Sequence, residues 1–158
     1  MIEKIGVKTT PKELVAYMEL KPGENELIQS GKLNKQLSEK HARIGDPHMV
    51  IYYDSKDDPK AHREVAVPVQ HEVEGVQTKK MPSKKVAFLV YIGTDQPVSF
   101  YVETLEKFIE DEGLKRGDAF HSIEAVFQPD EFNLSYGSFV DEDAPEYWRN
   151  ELMIPVEE

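Results

Sequence analysis

A single carboxylate interrupts an apolar run in the second half of the chain. Glu124 lies in the segment HSIEAVF, which otherwise resembles a buried strand. A carboxylate that is buried alone costs several kcal/mol unless it is paired or protonated. One interpretation is that a cationic or hydrogen-bonding ligand supplies the missing partner. A solvent-facing strand position, or an ion pair with Lys or Arg, explains the same residue without a ligand.

Aromatic side chains are the second group of candidate ligand contacts. A cation above an aromatic ring gains about 0.5–2 kcal/mol per contact. The alternation of side chains along strands predicts that Tyr52 shares a face with Glu124, and Trp148 adjoins the last predicted strand. Ordinary core packing is the alternative for each of these rings. The predicted ligand-binding set is Glu124, Tyr52, Phe88, Tyr91, Trp148 and Met153.

Other site chemistry has little support in the sequence. The chain has no Cys, and its five His residues lack metal-ligand spacing, although His62 and Glu64 are two positions apart. The GxSxG, P-loop and GxGxxG motifs are missing from the sequence. The acidic run at 141–143 lacks the spacing of a calcium-binding loop. We therefore predict no metal, no cofactor and no assigned catalytic residue.

The charge and hydropathy of the chain limit its partners. A net charge of −11 over 158 residues argues against binding to a phosphate backbone, and suits a cationic partner or simply a solvated surface. No segment approaches the roughly 20 apolar residues that span a bilayer, and the N-terminal residues do not resemble a signal peptide. We predict a cytoplasmic protein that binds neither membrane nor nucleic acid directly.

Two short motifs each occur twice in the same order. EVAVPV at 64–69 is matched by ELMIPV at 151–156, an offset of 87 residues. PKELVAY at 11–17 is matched by PSKKVAF at 82–88, an offset of 71 residues. The pattern predicts an internal duplication within one domain, 1–158, whose halves cover about 5–70 and 76–157.

The elements of each predicted half follow the order strand, helix, strand, strand. The helices are predicted at 24–40 and 99–112 from the spacing of their apolar residues. The resulting α+β fold consists of duplicated βαββ units with pseudo-two-fold symmetry. Its antiparallel sheet has two helices on one side and a ligand groove on the other. Alternation predicts that Glu64 and Glu151 point away from the helices, together with Met153.

The ordered segments REVAVPV, MPSKKVAFLVYIG, FIEDEGL, IEAVFQPDE and NELMIPV resemble the GyrI-like small-molecule-binding domain. This domain binds effectors in AraC-type and MerR-type multidrug regulators and is related to the SOUL haem-binding fold. The resemblance covers about 5–157 and implies the duplicated βαββ fold. It also implies that Glu124 lies at the pocket floor, with Tyr52 matching a tyrosine of the first half.

The resemblance implies a stand-alone binding protein for hydrophobic, cationic small molecules, acting in sequestration or in sensing with a partner protein or as a homodimer. The sequence shows no helix-turn-helix motif. One alternative is a hydrolase of reactive cyclopropane-containing genotoxins, in which Glu124 is the general base. Another is a gyrase-inhibitor-like interaction protein that uses the acidic run at 141–143.

Overall fold

A computed structural model describes most of the chain. The described residues are 1–45, 48–53, 60, 62–93, 96–117, 149–158 and, for backbone pairing alone, 122–127. In chain order the elements are β1 (Ile2–Thr9), β2 (Glu13–Leu20), α1 (Glu26–Glu39), β3 (His48–Tyr52), β4 (Arg63–Pro68), β5 (Thr78–Met81), β6 (Lys85–Ile92), α2 (Val98–Asp111), β7 (Ser122–Phe127) and β8 (Arg149–Pro155). No helix in these ranges is long and apolar enough to cross a membrane.

The strands described here form one eight-stranded antiparallel sheet in the order β1-β6-β8-β7-β3-β4-β2-β5. This order is unchanged when β1 to β4 are exchanged with β5 to β8 and the sheet is read from its other edge. Each half carries one strand, β1 or β5, before its predicted βαββ unit, and that strand pairs with the other half. The predicted α+β class is confirmed. The symmetric order is compatible with the predicted duplication.

Local sequence signals explain where α1 begins and where α2 begins and ends. Asn25 caps α1, since its side chain accepts a hydrogen bond from the Ile28 amide at 3.0 Å. Pro97 precedes α2, and Gly113 follows that helix with φ +70°, the left-handed conformation that glycine adopts without strain. The predicted helices at 24–40 and 99–112 therefore match α1 and α2 to within two residues at each end.

The two helices cover one face of the sheet, the helix face. Leu33 and Leu37 of α1 pack on Val65 and Val67 of β4. The corresponding packing of α2 involves Tyr101, Leu105, Ile109, Leu89, Leu152 and Ile154. Backbone register connects the two patches, because Val65 is opposite Val50, which is opposite residue 124, which is opposite Leu152. Directly opposed residues share a face, so both helices lie on the same side of the sheet.

The opposite face, the groove face, carries its own apolar cluster. It extends from β2 through β3 and β4 to β6 and β8, and no helix of the described chain packs on it. Its buried members are Val15, Met49, Ile51, Ala66, Val86, Phe88, Val90 and Met153. An apolar sheet face on which no described helix packs is a place where a ligand can bind.

Candidate ligand-binding site

A cavity of about 360 Å³ lies on the groove face. Met49, Val86 and Met153 form its apolar wall, and Tyr53 adds an aromatic ring. The connections β1–β2 and β5–β6 form its rim. The charged residues that line it are Lys8, Glu13, Lys79, Lys80, Lys84 and Glu151. The volume suits a small organic molecule, since ligand pockets measure roughly 300–1,000 Å³.

Glu151 of β8 is the buried carboxylate of this cavity. Its residue surface is only 4% exposed. The Lys8 ammonium on β1 forms an ion pair with Oε2 of Glu151 and lies 4.8 Å from the centroid of the Phe88 ring. The contact is close but poorly aligned, so Oε2 accepts no hydrogen bond from the described residues. We interpret the Lys8 contact as charge compensation, which needs proximity but no angular alignment.

Glu64 of β4 is a second buried carboxylate, 3% exposed, and its partners surround it more completely. The Tyr53 hydroxyl donates to Oε1 at 2.7 Å, and the Lys79 ammonium contacts the same oxygen. Lys79 also donates to the Tyr53 hydroxyl at 3.0 Å and lies 4.4 Å from the centroid of the Tyr17 ring. Glu64 is therefore held in a hydrogen-bonded network within the protein.

The pKa values of this network follow from burial and pairing. Burial raises the pKa of Tyr53, and hydrogen bonding and charge at Glu64 raise it further, against the lowering effect of Lys79. Burial alone would lower the pKa of Lys79, but its contacts with Glu64 and Tyr53 outweigh burial and raise that pKa. Both residues therefore keep their protons at neutral pH. At the rim of the cavity, burial raises the pKa of Glu13.

The two carboxylates occupy equivalent places in the two halves. Glu64 and Glu151 each lie four residues before a proline, Lys79 and Lys8 lie on β5 and β1, and Tyr17 and Phe88 are the adjacent rings. The offsets are the 87 and 71 residues of the repeated motifs. Alternation along the sequence predicts that both glutamates point away from the helices. The structure confirms this prediction, since Ala66 and Met153 of the same strand faces belong to the groove-face cluster. The repeat was the signal that could have identified them as a matched pair of site residues.

The predicted site residues are divided between the two faces. Phe88 and Met153 belong to the groove-face cluster, and Met153 lines the cavity. The predicted orientation of Tyr52 toward the groove is wrong, because its hydroxyl donates to Glu26 of α1 at 3.2 Å. Tyr91 also lies on the helix face, where its ring stacks on Tyr101 of α2 at a centroid distance of 3.7 Å. Neither tyrosine can form the wall of a groove-face cavity.

The side chains of two further predicted site residues lie outside the part of the chain that the structure describes. The backbone of Glu124 pairs with Val50 on one side and with Leu152 on the other, and its side chain lies outside the described residues. Trp148 and the acidic run at 141–143 also lie outside them. The predicted roles of these residues remain predictions.

A cluster of possible metal ligands lies beside the second carboxylate. Glu19, His62 and Glu64 bring one ligand atom each to within 4.8 Å of one another. Glu64 is already neutralised by the Lys79 ammonium, and Glu19 and His62 are exposed. A metal ion would have to displace Lys79 from a buried, hydrogen-bonded ion pair. The arrangement therefore favours the internal network over metal coordination.

The sequence matches no protein-family model and no curated protein. Solved structures nevertheless share its fold. The C-terminal domain of EcmrR superposes with a TM-score of 0.70 at 12% identity, covering 98% of both chains. The EcmrR chain in a DNA complex gives 0.70 at 15% identity, and there the match covers 98% of this chain and 57% of that one.

Two other similar structures carry functional descriptions. A hydrolase from Listeria innocua gives a TM-score of 0.62 at 13% identity, covering 98% of this chain and 92% of that one. SAV2435 bound to tetraphenylphosphonium gives 0.55 at 11% identity, covering 98% and 94%. The TM-scores establish a shared fold at these low identities. The predicted resemblance to GyrI-like effector-binding domains is confirmed at that level.

Proposed function

We propose that this protein binds small hydrophobic cations in the groove-face cavity, and that Glu151 neutralises the ligand's charge. The observation that carries the proposal is the buried Glu151 carboxylate in the cavity lining, whose Oε2 forms an ion pair with Lys8. A buried carboxylate in a cavity favours a ligand that brings positive charge or a hydrogen-bond donor. The protein then serves in sequestration or in sensing.

The apolar wall supports a ligand with a large hydrophobic surface. Met49 and Met153 line the cavity next to Val86. Methionine side chains are flexible and polarizable, so they adapt to ligands of different shape and contact aromatic rings favourably. The structure of SAV2435 with tetraphenylphosphonium supports the same class of ligand, since that molecule is a lipophilic cation.

The lysines of the cavity are compatible with a cationic ligand. Lys8 and Lys79 form ion pairs with Glu151 and Glu64, so their charges are compensated. Lys80 is exposed at the rim, where water and salt screen its charge. Of the two buried carboxylates only Glu151 lines the cavity, so Glu151 and its partner Lys8 set the charge at the cavity wall, and Glu13, Lys80 and Lys84 add charges at the rim.

Isothermal titration calorimetry tests the proposal with tetraphenylphosphonium and with triphenylphosphine oxide, a neutral ligand of related shape. Glu151→Gln keeps the size of the side chain and removes its charge. We expect this variant to bind the cation about tenfold more weakly, which corresponds to about 1.4 kcal/mol of binding free energy. Its affinity for the neutral ligand should equal that of the wild type. Glu19→Gln, an exposed position outside the cavity, is the matched control.

Two results would overturn the proposal. One is a wild-type protein that binds no lipophilic cation at millimolar concentration. The other is a Glu151→Gln variant that binds the cation as tightly as the wild type does. Thermal unfolding of each variant confirms that the fold is intact before its affinity is compared.

Hydrolysis is the second candidate function, and the same oxygen favours it. A carboxylate with spare acceptor capacity can take a proton from water, as a general base does. The Listeria innocua hydrolase shares this fold. Reactive cyclopropane-containing compounds are the predicted substrate class, with Glu151 or the predicted Glu124 as the base. Product formation that Glu151→Gln or Glu124→Gln abolishes would favour this function, and unchanged substrate after prolonged incubation would exclude it for the compound tested.

A further inference from the structure

We infer that Lys8 is a displaceable internal counter-ion, which occupies the cation position at Glu151 in the free protein and moves into solvent when a cationic ligand binds. The inference rests on the proposed function and adds to it how the empty cavity is kept stable and which cations it accepts. It makes Lys8 a specificity-determining residue on an edge strand.

The first argument is the cost of an empty cation site. Glu151 is almost fully buried, and an ionised carboxylate at such a position needs a nearby positive charge. The Lys8 ammonium supplies that charge from β1, which is an edge strand of the described sheet. The same ammonium also lies over the Phe88 ring. Lys8 thus makes the two kinds of contact that a bound organic cation would make.

The second argument is the difference between the two equivalent ion pairs. The Lys79 side chain is 31% exposed and is tied to both Glu64 and the Tyr53 hydroxyl. The Lys8 side chain is 41% exposed, and its contact with Glu151 is not aligned as a hydrogen bond. Releasing Lys79 would break two hydrogen bonds, whereas releasing Lys8 would break none. Lys8 is therefore the lysine that a ligand can displace at the lower cost.

The third argument concerns space around the Phe88 ring. Gly6, the neighbour of Lys8 on the same face of β1, lies so close that an added Cβ would be 3.3 Å from the Phe88 ring. The strand backbone thus contacts this edge of the ring, and the Lys8 side chain extends beside it. When Lys8 moves out, the vacated position offers a ligand both the Glu151 carboxylate and the ring that Lys8 leaves.

Displacement also selects among cations. Lys8 regains full hydration when it enters water, so the exchange favours a ligand whose own charge is weakly hydrated. Quaternary ammonium, phosphonium and delocalised aromatic cations meet this condition. A primary alkylammonium does not, because it resembles the lysine that it must replace. We expect tetraphenylphosphonium to bind and butylammonium to fail at the same concentration.

Calorimetry of Lys8→Met tests the inference directly. This variant keeps an unbranched side chain of similar length but has no charge to compete with the ligand. We expect it to bind tetraphenylphosphonium about fivefold more tightly than the wild type, the equivalent of about 1 kcal/mol, and to bind triphenylphosphine oxide equally. Lys4→Met is the control, since Lys4 lies on the same face of β1, 5.7 Å from the Phe88 ring centroid, and outside the cavity.

A second measurement uses the unmodified protein. Acetylation by an N-hydroxysuccinimide ester, followed by peptide mass spectrometry, reports how free each lysine is. We expect saturating tetraphenylphosphonium to speed acetylation of Lys8 several-fold and to leave Lys79 unchanged. Triphenylphosphine oxide should have no effect on Lys8, because a neutral ligand does not compete for Glu151.

The outcomes separate the inference from the function on which it rests. If the wild type binds the cation through Glu151, but Lys8→Met binds no more tightly and Lys8 acetylation does not change, the inference is wrong and the proposed function stands. If neither the wild type nor Lys8→Met binds the cation, the proposed function is wrong and the inference falls with it. Binding by Lys8→Met alone would overturn both, because Lys8 would then be a permanent partner of Glu151 that a cation cannot displace.

Discussion

Glu64 and Glu151 are 87 residues apart in the chain, lie at equivalent positions of β4 and β8, and are both buried on the groove face. Each is paired with a lysine that comes from the opposite half of the fold. The pairs differ most at the Tyr53 hydroxyl, which completes the contacts of Glu64 and has no counterpart at Glu151 among the described residues. This difference is the basis for proposing Glu151, and not Glu64, as the carboxylate that binds a ligand.

Removing the Tyr53 hydroxyl should destabilise the protein. Tyr53→Phe takes away the donor to Glu64 and an acceptor for Lys79, and we expect the free energy of unfolding to fall by about 1 kcal/mol. Urea denaturation measures the change. Tyr17→Phe is the matched control, because the Tyr17 ring rather than its hydroxyl contacts Lys79. Equal losses in both variants would show that the Tyr53 hydroxyl does not support Glu64.

The two lysines should differ in their importance for stability. Lys79→Met leaves Glu64 buried without a counter-charge and should lower the free energy of unfolding by about 3 kcal/mol. Lys8→Met should cost less, about 2 kcal/mol, because Lys79 also donates to the Tyr53 hydroxyl whereas the described ion-pair partner of Lys8 is Glu151. Chemical denaturation of both variants at neutral pH measures the difference. A loss for Lys8→Met as large as that for Lys79→Met would contradict the assignment of Lys8 as the weaker partner.

Glu13 should destabilise the protein at neutral pH. Burial raises the pKa of its carboxyl, so its contribution to stability is full below the unfolded pKa of about 4.3 and is lost as pH rises through the folded value. Glu13→Gln should therefore raise the free energy of unfolding at pH 7 by about a few tenths of a kcal/mol, a small value because solvent screens the half-buried group. At pH 3 the substitution should have no effect. Denaturation at both pH values checks the sign, with the exposed Glu72→Gln as control.

Substitutions on the two faces should have different effects on ligand binding. Phe88→Leu removes the ring beside Lys8 and Glu151 and should weaken tetraphenylphosphonium binding about threefold to fivefold. Tyr52→Phe removes a hydrogen bond to α1 and should leave the affinity unchanged. Calorimetry with the same ligand measures both. A clear loss of affinity in Tyr52→Phe alone would place the binding site on the helix face instead.

The orientation of β4 and β8 was predictable from the sequence, whereas that of β3 was not. In β4, Val65 and Val67 alternate with Glu64 and Ala66, so one face is clearly the more polar. The segment MVIYY at 49–53, which contains most of β3, is apolar on both faces, so alternation groups Val50 with Tyr52 but does not say which face they share. The register supplies that information, since Val50 lies opposite the helix-facing Val65.

The lysine partners of the site could not be predicted. Lys8 and Lys79 reach the glutamates because β1 and β5 pair with strands of the opposite half, and this pairing is not encoded in any local pattern. The repeat aligns Lys8 with Lys79 and Glu64 with Glu151. It does not bring lysine and glutamate together, which requires the complete sheet. Composition and motif order thus predicted the fold class, but the contacts within the cavity depended on long-range pairing.

The exchange of edge strands between the halves has a consequence for biosynthesis. In the register of β1 with β6, Ile5 lies opposite Leu89, so β1 has no partner strand until the chain has been synthesised as far as β6. Contacts this distant in sequence form slowly, because a long loop must close first. We expect β1 to dock after β6 has formed. Because β6 precedes β8 in the chain, Lys8 can reach its place at the edge of the sheet before Glu151 is synthesised.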